Sequence, residues 1–152
     1  MTSIYVDGDA CPVREEVYRV AGRLELPVLV VANGSRPIRP PGLSNVRMVL
    51  VGEAADAADD WIAERIGPGD LCVTADIPLA SRCLAGGGRV LSPKGHVWTA
   101  DNIGNALAGR EVARHLRELG VEGGGQPAMT KADRSRFLSA LDTLVRRALR
   151  DS

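Results

Sequence analysis

The sequence predicts a three-layer α/β fold in which a mainly parallel sheet is flanked by helices on both faces. Short apolar runs alternate with helical patterns along the chain, as in sheets built from β-α-β units. One run, Pro27–Ala32, is almost continuously β-branched, which is typical of a strand covered on both faces. The 152 residues fit a single domain, 1–152, with a C-terminal helical extension at about 128–150.

The first half of the chain predicts three strands and two helices. Pro12 suits the first turn of a helix, and apolar residues then recur at helical spacing as far as Leu24. A loop rich in proline and glycine follows the second strand. The predicted elements are the strand Ile4–Asp7, a helix from Pro12 to Leu24, the strands Pro27–Ala32 and Val46–Val51, and the helix Ala54–Ile66.

The second half predicts two shorter strands and three helices. Thr130 and Asp133 have the spacing of a capping box, which begins the last helix. The glycine-rich segment 120–127 precedes it as a flexible connection. The predicted elements are the strand Leu71–Thr74, the helix Ile77–Leu84, the strand Arg89–Leu91, a helix from Asp101 to Leu119, and a last helix whose apolar face carries Phe137, Leu141, Leu144, Val145 and Ala148.

Composition and charge exclude several classes of protein. The formal net charge is zero, which excludes a simple polycation that coats nucleic acid. Aromatic residues are only 3% of the chain, which argues against a single-strand binder that stacks bases on aromatic side chains. No apolar run reaches the roughly 18 residues of a membrane helix, and the N-terminus lacks the features of a signal peptide. We therefore expect a cytoplasmic protein that does not enter a membrane.

The charges are distributed unevenly. The segment from Glu53 to Asp76 has seven acids and one base, so the other residues carry a net charge of +6. An acidic centre with basic flanks suits a metal-dependent enzyme that acts on phosphates, although solvated helix faces would give the same pattern.

The three cysteines, Cys11, Cys72 and Cys83, form no CxxC motif, so neither a disulfide framework nor a zinc site is indicated. Cys11 lies at the start of a predicted helix, where a thiolate would be stabilised. No resolving cysteine or Cys-x5-Arg phosphate loop accompanies it, and we expect it to be structural.

Five aspartates lie near the carboxyl ends of predicted parallel strands, where ligands bind in such sheets. Asp7 and Asp9 follow the first strand, Asp76 follows the fourth, and Asp56 and Asp59 share one face of the intervening helix. Carboxylates that converge repel one another unless some are protonated or a cation neutralises them. Oxygen ligands without a cysteine or histidine pair favour Mg²⁺ or Mn²⁺.

Structural roles are the alternative for several acids. Asp56 could simply favour the helix dipole, and Asp60 and Asp101 could be solvated helix charges. Asp7 and Asp76 differ because each closes an apolar strand, where a charge favours a functional explanation.

Several motifs resemble one bacterial family over nearly the whole chain. Asp7-Gly8-Asp9-Ala10-Cys11-Pro12-Val13 resembles the N-terminal signature of the YaiI/YqxD family, and the block from Val73 to Ala80 resembles its most specific later motif. Further matches are Val31-Ala32-Asn33, Asp56-Ala57-Ala58-Asp59, Trp98-Thr99, Asn102-Ile103, Arg110, Gly123 to Pro127, and Asp133.

The resemblance implies a PIN-like fold, since that family is regarded as similar to the PIN-like superfamily of Mg²⁺- or Mn²⁺-dependent nucleases. Thr74-Ala75-Asp76 resembles the Thr-x-Asp that follows a central strand in PIN-like domains, and Asp7 resembles their first-strand aspartate. The implied function is hydrolysis of phosphodiesters, with RNA favoured as substrate.

In this hypothesis Asp7, Asp59 and Asp76 bind the metal, and Asp9 or Asp56 assists through water. The candidates for contact with the phosphate backbone are Arg36, Arg39, Lys94 and Arg110. Two alternatives stay open. One is a PIN-like domain that binds RNA or protein without cleavage. The other is a haloacid-dehalogenase-like phosphatase, suggested by Asp7-Gly8-Asp9, although Asp59-Asp60 lies upstream of Thr74 rather than downstream.

Overall fold

A computed structural model describes residues 2–35, 37–118 and 128–151. The strands are β1 Ile4–Asp7, β2 Val28–Asn33, β3 Val46–Val51, β4 Leu71–Val73, β5 Arg89–Leu91 and β6 Val97–Trp98. The helices are α1 Arg14–Arg23, α2 Ala57–Arg65, α3 Ile77–Ala85, α4 Ala100–Glu118 and α5 Lys131–Asp151, and a 3-10 turn covers Gly8–Ala10.

The strands form one six-stranded sheet in the spatial order β3-β2-β1-β4-β5-β6. The first five strands are parallel, and only β6 runs antiparallel, against β5. Helices α1 and α5 pack on one face of the sheet, and α2, α3 and α4 pack on the other. The predicted three-layer α/β fold with a mainly parallel sheet is confirmed.

Side-chain alternation along the strands divides the core into two halves. In β1, Ile4 and Val6 face the α1 and α5 side, whereas Tyr5 faces the α2 and α3 side. Val73 and Cys72 divide in the same way in β4. The strands are apolar on both faces because both faces are covered.

The predicted elements differ from the structure mainly at their ends. Helix α2 begins at Ala57 rather than Ala54, and β4 ends at Val73 rather than Thr74. The 3-10 turn and β6 were not predicted from sequence. Both have three residues or fewer, which is too short to show a hydrophobic period.

Helix α5 forms part of the core rather than an appendage. The predicted capping box is confirmed: the backbone N–H of Asp133 donates to Thr130 Oγ1, and that of Thr130 donates to Asp133 Oδ2, both at 3.0 Å. The predicted apolar face is also confirmed, since Phe137, Leu141 and Val145 are fully buried. The helix therefore shares with α1 the covering of one face of the sheet.

Gly95 lets the β5–β6 turn dock against the first turns of α5. Its φ of +88° is in the left-handed region, and a Cβ there would lie 2.9 Å from the carbonyl carbon of Arg136. On the other flank of α5, Arg134 Nη1 lies 3.0 Å from Glu16 Oε1 in α1. The start of α5 is thus held by two separate elements.

Within the described residues, no helix combines the length and apolar character needed to cross a membrane. Cys11, Cys72 and Cys83 are buried free thiols.

Phe137→Ala should destabilise the folded protein by about 3–5 kcal/mol, because the fully buried ring leaves a cavity between α5 and the sheet. Ser139→Ala, on the exposed face of the same helix, is the matched control and should change stability little. Urea denaturation of both variants measures the difference. Equal midpoints for the two variants would contradict a core role for α5.

Candidate functional site

The candidate site lies between β1 and β4, where the order of the strands in the sheet changes direction. From β1 the chain continues to β2 and β3 on one side, and then returns to β4 and β5 on the other. The carboxyl edge between β1 and β4 is therefore a topological switch point, the usual position of ligand sites in open parallel sheets. Val6 and Val73 are paired in the register, so the next residues, Asp7 and Thr74, lie side by side at this edge.

Asp7 and Thr74 form a buried hydrogen bond. The Thr74 hydroxyl donates to Asp7 Oδ2 at 2.8 Å, and Thr74 Oγ1 itself accepts the backbone N–H of Asp76 at 3.0 Å. Asp7 is only 4% exposed, and Thr74 is fully buried. One hydroxyl thus fixes the carboxylate that ends β1 and the backbone turn that follows β4.

Asp76 is the N-cap of α3. Its Oδ1 accepts the backbone N–H of Leu79 at 2.8 Å, and Pro78 occupies the first turn, where its missing N–H is harmless. The cap holds the Asp76 carboxylate beside the switch point, so the residue has a structural role whatever its chemistry.

Asp59 completes an electrostatic group with Asp7 and Asp76. The pKa of Asp59, in the first turn of α2, is raised to about 6. Burial is the largest cause, followed by the nearby carboxylates of Asp76 and Asp7. Burial also raises the pKa of Asp7; the Thr74 hydrogen bond opposes this shift, whereas Asp9 and Asp76 add to it. The Asp76 carboxylate thus lies close enough to Asp7 and Asp59 to disfavour the charged forms of both.

Asp9 and Asp56 lie at the margin of this group. Asp9 is exposed in the 3-10 turn, and its backbone N–H donates to Asp7. Asp56 is exposed at the N-cap position of α2, where its side chain makes no capping hydrogen bond. Asp60 turns away and pairs with Arg82 Nη1 at 2.7 Å, as expected for a solvated helix charge.

The described candidate basic residues, Arg39, Lys94 and Arg110, lie in three different segments of the chain. Arg39 and Lys94 follow β2 and β5, so both are in loops at the carboxyl edge. Ile38, next to Arg39, packs into the core on the α1 and α5 side, whereas Asp7 alternates to the α2 and α3 side. Arg110 is exposed on α4, and Arg36 falls outside the described residues.

The Asp-Gly-Asp sequence has a steric explanation. A Cβ on Gly8 would lie 2.4 Å from Ile38 Cδ1 and 2.9 Å from the carbonyl oxygen of Val31. Only glycine allows the loop after β2 to pack over the turn that carries Asp7 and Asp9.

Asn33 is a positioning residue that was not predicted from the sequence. Its side-chain amide donates to the carbonyl oxygen of Ala54 at 2.8 Å, and its Oδ1 accepts both the backbone N–H and the hydroxyl of Ser35. These bonds tie the segment before α2 to the end of β2. They therefore set where α2, which carries Asp59, begins relative to Asp7. Asn33 directly follows a predicted strand, but its partner Ala54 lies 21 residues further along the chain, so the sequence alone did not reveal this role.

The carboxylates fit a divalent cation in donor chemistry, since all are hard oxygen ligands whose charged forms disfavour one another. They are not arranged as a ready ligand set: across residues 2–35, 37–118 and 128–151, no three His, Cys, Asp or Glu side chains are grouped so as to hold a metal ion. The metal ligands Asp7, Asp59 and Asp76 therefore stay a prediction.

Cys11 does not have the environment of a nucleophile. Its side chain is buried just before α1, and burial raises the pKa of its thiol to about 12. The thiol is protonated at neutral pH, in agreement with a structural role.

A family model described as "Uncharacterized BCR, YaiI/YqxD family" matches residues 5–147. A UPF0178 protein of Paramagnetospirillum magneticum is 55% identical over 150 residues, which are 99% of this chain and 98% of the relative. UPF0178 proteins of Rhodopseudomonas palustris and a Caulobacter species are 53% and 50% identical, with 99% of this chain covered and 94% and 98% of the relatives. No solved structure matches the chain.

Asp76→Asn should raise the melting temperature of the metal-free protein, because it removes one of the clustered charges and keeps a side chain that can cap α3. Asp76→Ala removes both charge and cap, and should melt about 2–4 °C below the asparagine variant, for a cap worth about 1 kcal/mol. Thermal denaturation without metal compares the two variants with the wild type. If asparagine melts below the wild type, charge repulsion at this site is not significant.

The stability of the metal-free protein should fall as the pH rises from about 4 to about 7. Because the pKa of Asp59 is raised from 3.8 to about 6 in the folded state, the folded chain binds that proton more tightly. Its contribution to stability is complete below the unfolded pKa and is lost as the pH rises through about 6. Asp59→Asn should flatten this decline, whereas Asp101→Asn, which removes an exposed acid of α4, should follow the wild type. Urea midpoints measured at several pH values test this, and parallel curves for Asp59→Asn and the wild type would contradict it.

Proposed function

The chain belongs to the YaiI/YqxD family, and the names of the relatives described above state no activity. From the site, we propose that the protein is a divalent-metal-dependent nuclease that hydrolyses RNA phosphodiesters. The observation that carries the proposal is the group of Asp7, Asp59 and Asp76 at the topological switch point, each near enough to disfavour the charge of another. The PIN-like resemblance of Thr74-Ala75-Asp76 supports the same proposal.

In this proposal the three carboxylates hold Mg²⁺ or Mn²⁺. When bound, the cation would lower the pKa of a coordinated water molecule and neutralise negative charge on the phosphoryl group. Thr74 holds Asp7 in place through its hydroxyl, and the α3 cap does the same for Asp76. Asp9 and Asp56, exposed beside this group, are available to orient an attacking water.

Basic side chains at the carboxyl edge are the proposed contacts with the phosphate backbone. Arg39 is exposed and Lys94 is half-buried, and each lies in a loop that follows a strand flanking the switch point. Arg36 and Arg110 are also proposed as contacts with the phosphate backbone, from the sequence alone. A protein of zero net charge needs such local contacts, because its overall field does not attract nucleic acid. We propose the cytoplasm as its location.

A second candidate is a PIN-like domain that binds RNA or protein without cleavage. The specific observation in its favour is that the described acids are not grouped as a ready ligand set, while Asp76 already serves as a helix cap.

The nuclease proposal is tested with the purified protein, Mn²⁺ and a labelled single-stranded RNA. Asp7→Asn and Asp76→Asn should each reduce the cleavage rate at least about a hundredfold, since each removes a proposed metal ligand. Cys11→Ser, a buried residue outside the carboxylate group, should stay within a few-fold of the wild type. A loss in Cys11→Ser with an intact fold would show a thiol mechanism instead.

Thermal denaturation with millimolar Mn²⁺ separates the two candidates. A cation that binds only the folded state stabilises it by about 2.7 kcal/mol at a hundredfold excess over Kd. The melting temperature of the wild type should therefore rise by several degrees, and that of Asp76→Asn by less. If Mn²⁺ shifts neither protein and no RNA is cleaved, the carboxylate group is not a metal site and the non-catalytic candidate is favoured.

A further inference from the structure

We infer that two copies of this chain associate through β3, which pairs antiparallel with its counterpart about a two-fold axis at Val49. β3 is one end of the sheet, and among the described residues it is hydrogen-bonded on one side only, to β2. An unpaired strand edge is a template for another strand, and proteins usually protect it with charge, proline or a bulge.

The strand lacks that protection. Its sequence, Val-Arg-Met-Val-Leu-Val, contains one charge and no proline. Leu50 is 64% exposed, the largest exposure among the large hydrophobic side chains of the described residues. Val46 and Met48 share its face of the sheet and are only partly buried.

The direction of the backbone groups follows from one hydrogen bond. The N–H of Val28 donates to the carbonyl oxygen of Asn45, and Val28 is paired with Val46 in the parallel register. In a parallel ladder this directs the backbone of Arg47 and Val49 toward β2, and that of Met48 and Leu50 outward. The outward N–H and C=O groups need a strand as partner, rather than an apolar side chain or a helix.

Charge and hydrogen-bonding capacity select the register between two copies. Only residues with outward groups can form the hydrogen-bonded pairs, so Met48 and Leu50 must pair among themselves or with Val46. An axis at Arg47 would place two guanidinium groups opposite each other, which is unfavourable. An axis at Met48 would require the N–H of Val46, which already donates to the carbonyl oxygen of Leu43. An axis at Leu50 would pair Met48 with Gly52, whose carbonyl oxygen already accepts the N–H of Gly34.

An axis at Val49 avoids all three conflicts. Met48 of each copy then exchanges hydrogen bonds with Leu50 of the other, and all of these groups point outward. The exposed Leu50 side chain lies against Met48 of the second copy, and Arg47 lies opposite Val51. The two sheets become one twelve-stranded sheet across the interface, because each copy contributes six strands.

The first experiment measures the mass of the full chain by sedimentation velocity across micromolar to high micromolar concentrations. The wild type should reach twice the 16.1 kDa mass of one chain. Leu50→Lys should remain at one chain mass, since it places a charge against Met48 of the second copy. Leu43→Lys, an exposed leucine outside the strand, is the matched control and should associate like the wild type. A wild type that stays monomeric throughout overturns the inference, and a different partner for β3 would then be sought.

The second experiment tests the register without relying on dissociation. In the proposed pairing, Val49 faces its own copy across a non-hydrogen-bonded pair, with Cβ atoms about 4.5–5.5 Å apart. Val49→Cys should therefore form a reducible covalent dimer under mild oxidation. The two Arg47 positions are offset by about 13 Å along the strand, so Arg47→Cys should not. Equal cross-linking of the two variants, or none with Val49→Cys, overturns the proposed pairing; circular dichroism confirms that both variants are folded.

Discussion

The hydrogen bond between Thr74 and Asp7 is the interaction on which the candidate site depends. It joins the ends of the two central strands at the point where the chain reverses its direction across the sheet. Because Asp7 is almost fully buried, its carboxylate needs a donor there, and the hydroxyl also holds the backbone N–H of Asp76. The pairing of the two central strands therefore also positions the carboxylates of Asp7 and Asp76.

The acidic group combines two structural requirements with an electrostatic cost. Asp76 caps a helix and Asp7 closes a strand, so both have local partners that hold them in place. Asp59 has weaker support, and its pKa is the one raised to about 6. An arrangement that stabilises the backbone while crowding charge is typical of a site that gains stability when a positively charged ligand binds.

The sequence predicted the layers of the fold well because most elements are long enough to show a period. The apolar face of α5 and the Thr130–Asp133 capping box follow from spacing alone. The switch-point position of Asp7 and Asp76 also follows, from their place after parallel strands. Asn33 and the Gly8 contact could not be predicted, because they depend on how loops distant in sequence cross one another. Metal binding leaves no comparable trace in the spacing of aspartates, since a helix cap and a ligand use the same residue type.

The packing of α5 has a consequence for synthesis of the chain on the ribosome. The α1 side of the central strands is completed by Phe137, Leu141 and Val145, which are made after all six strands. Strands β1 to β5 and their connecting helices emerge earlier, with one apolar face of the sheet still incompletely covered. Such exposed surface is prone to aggregation until the missing element arrives. The nascent chain therefore cannot complete its core until α5 has left the exit tunnel, well after the strands of the sheet have been made.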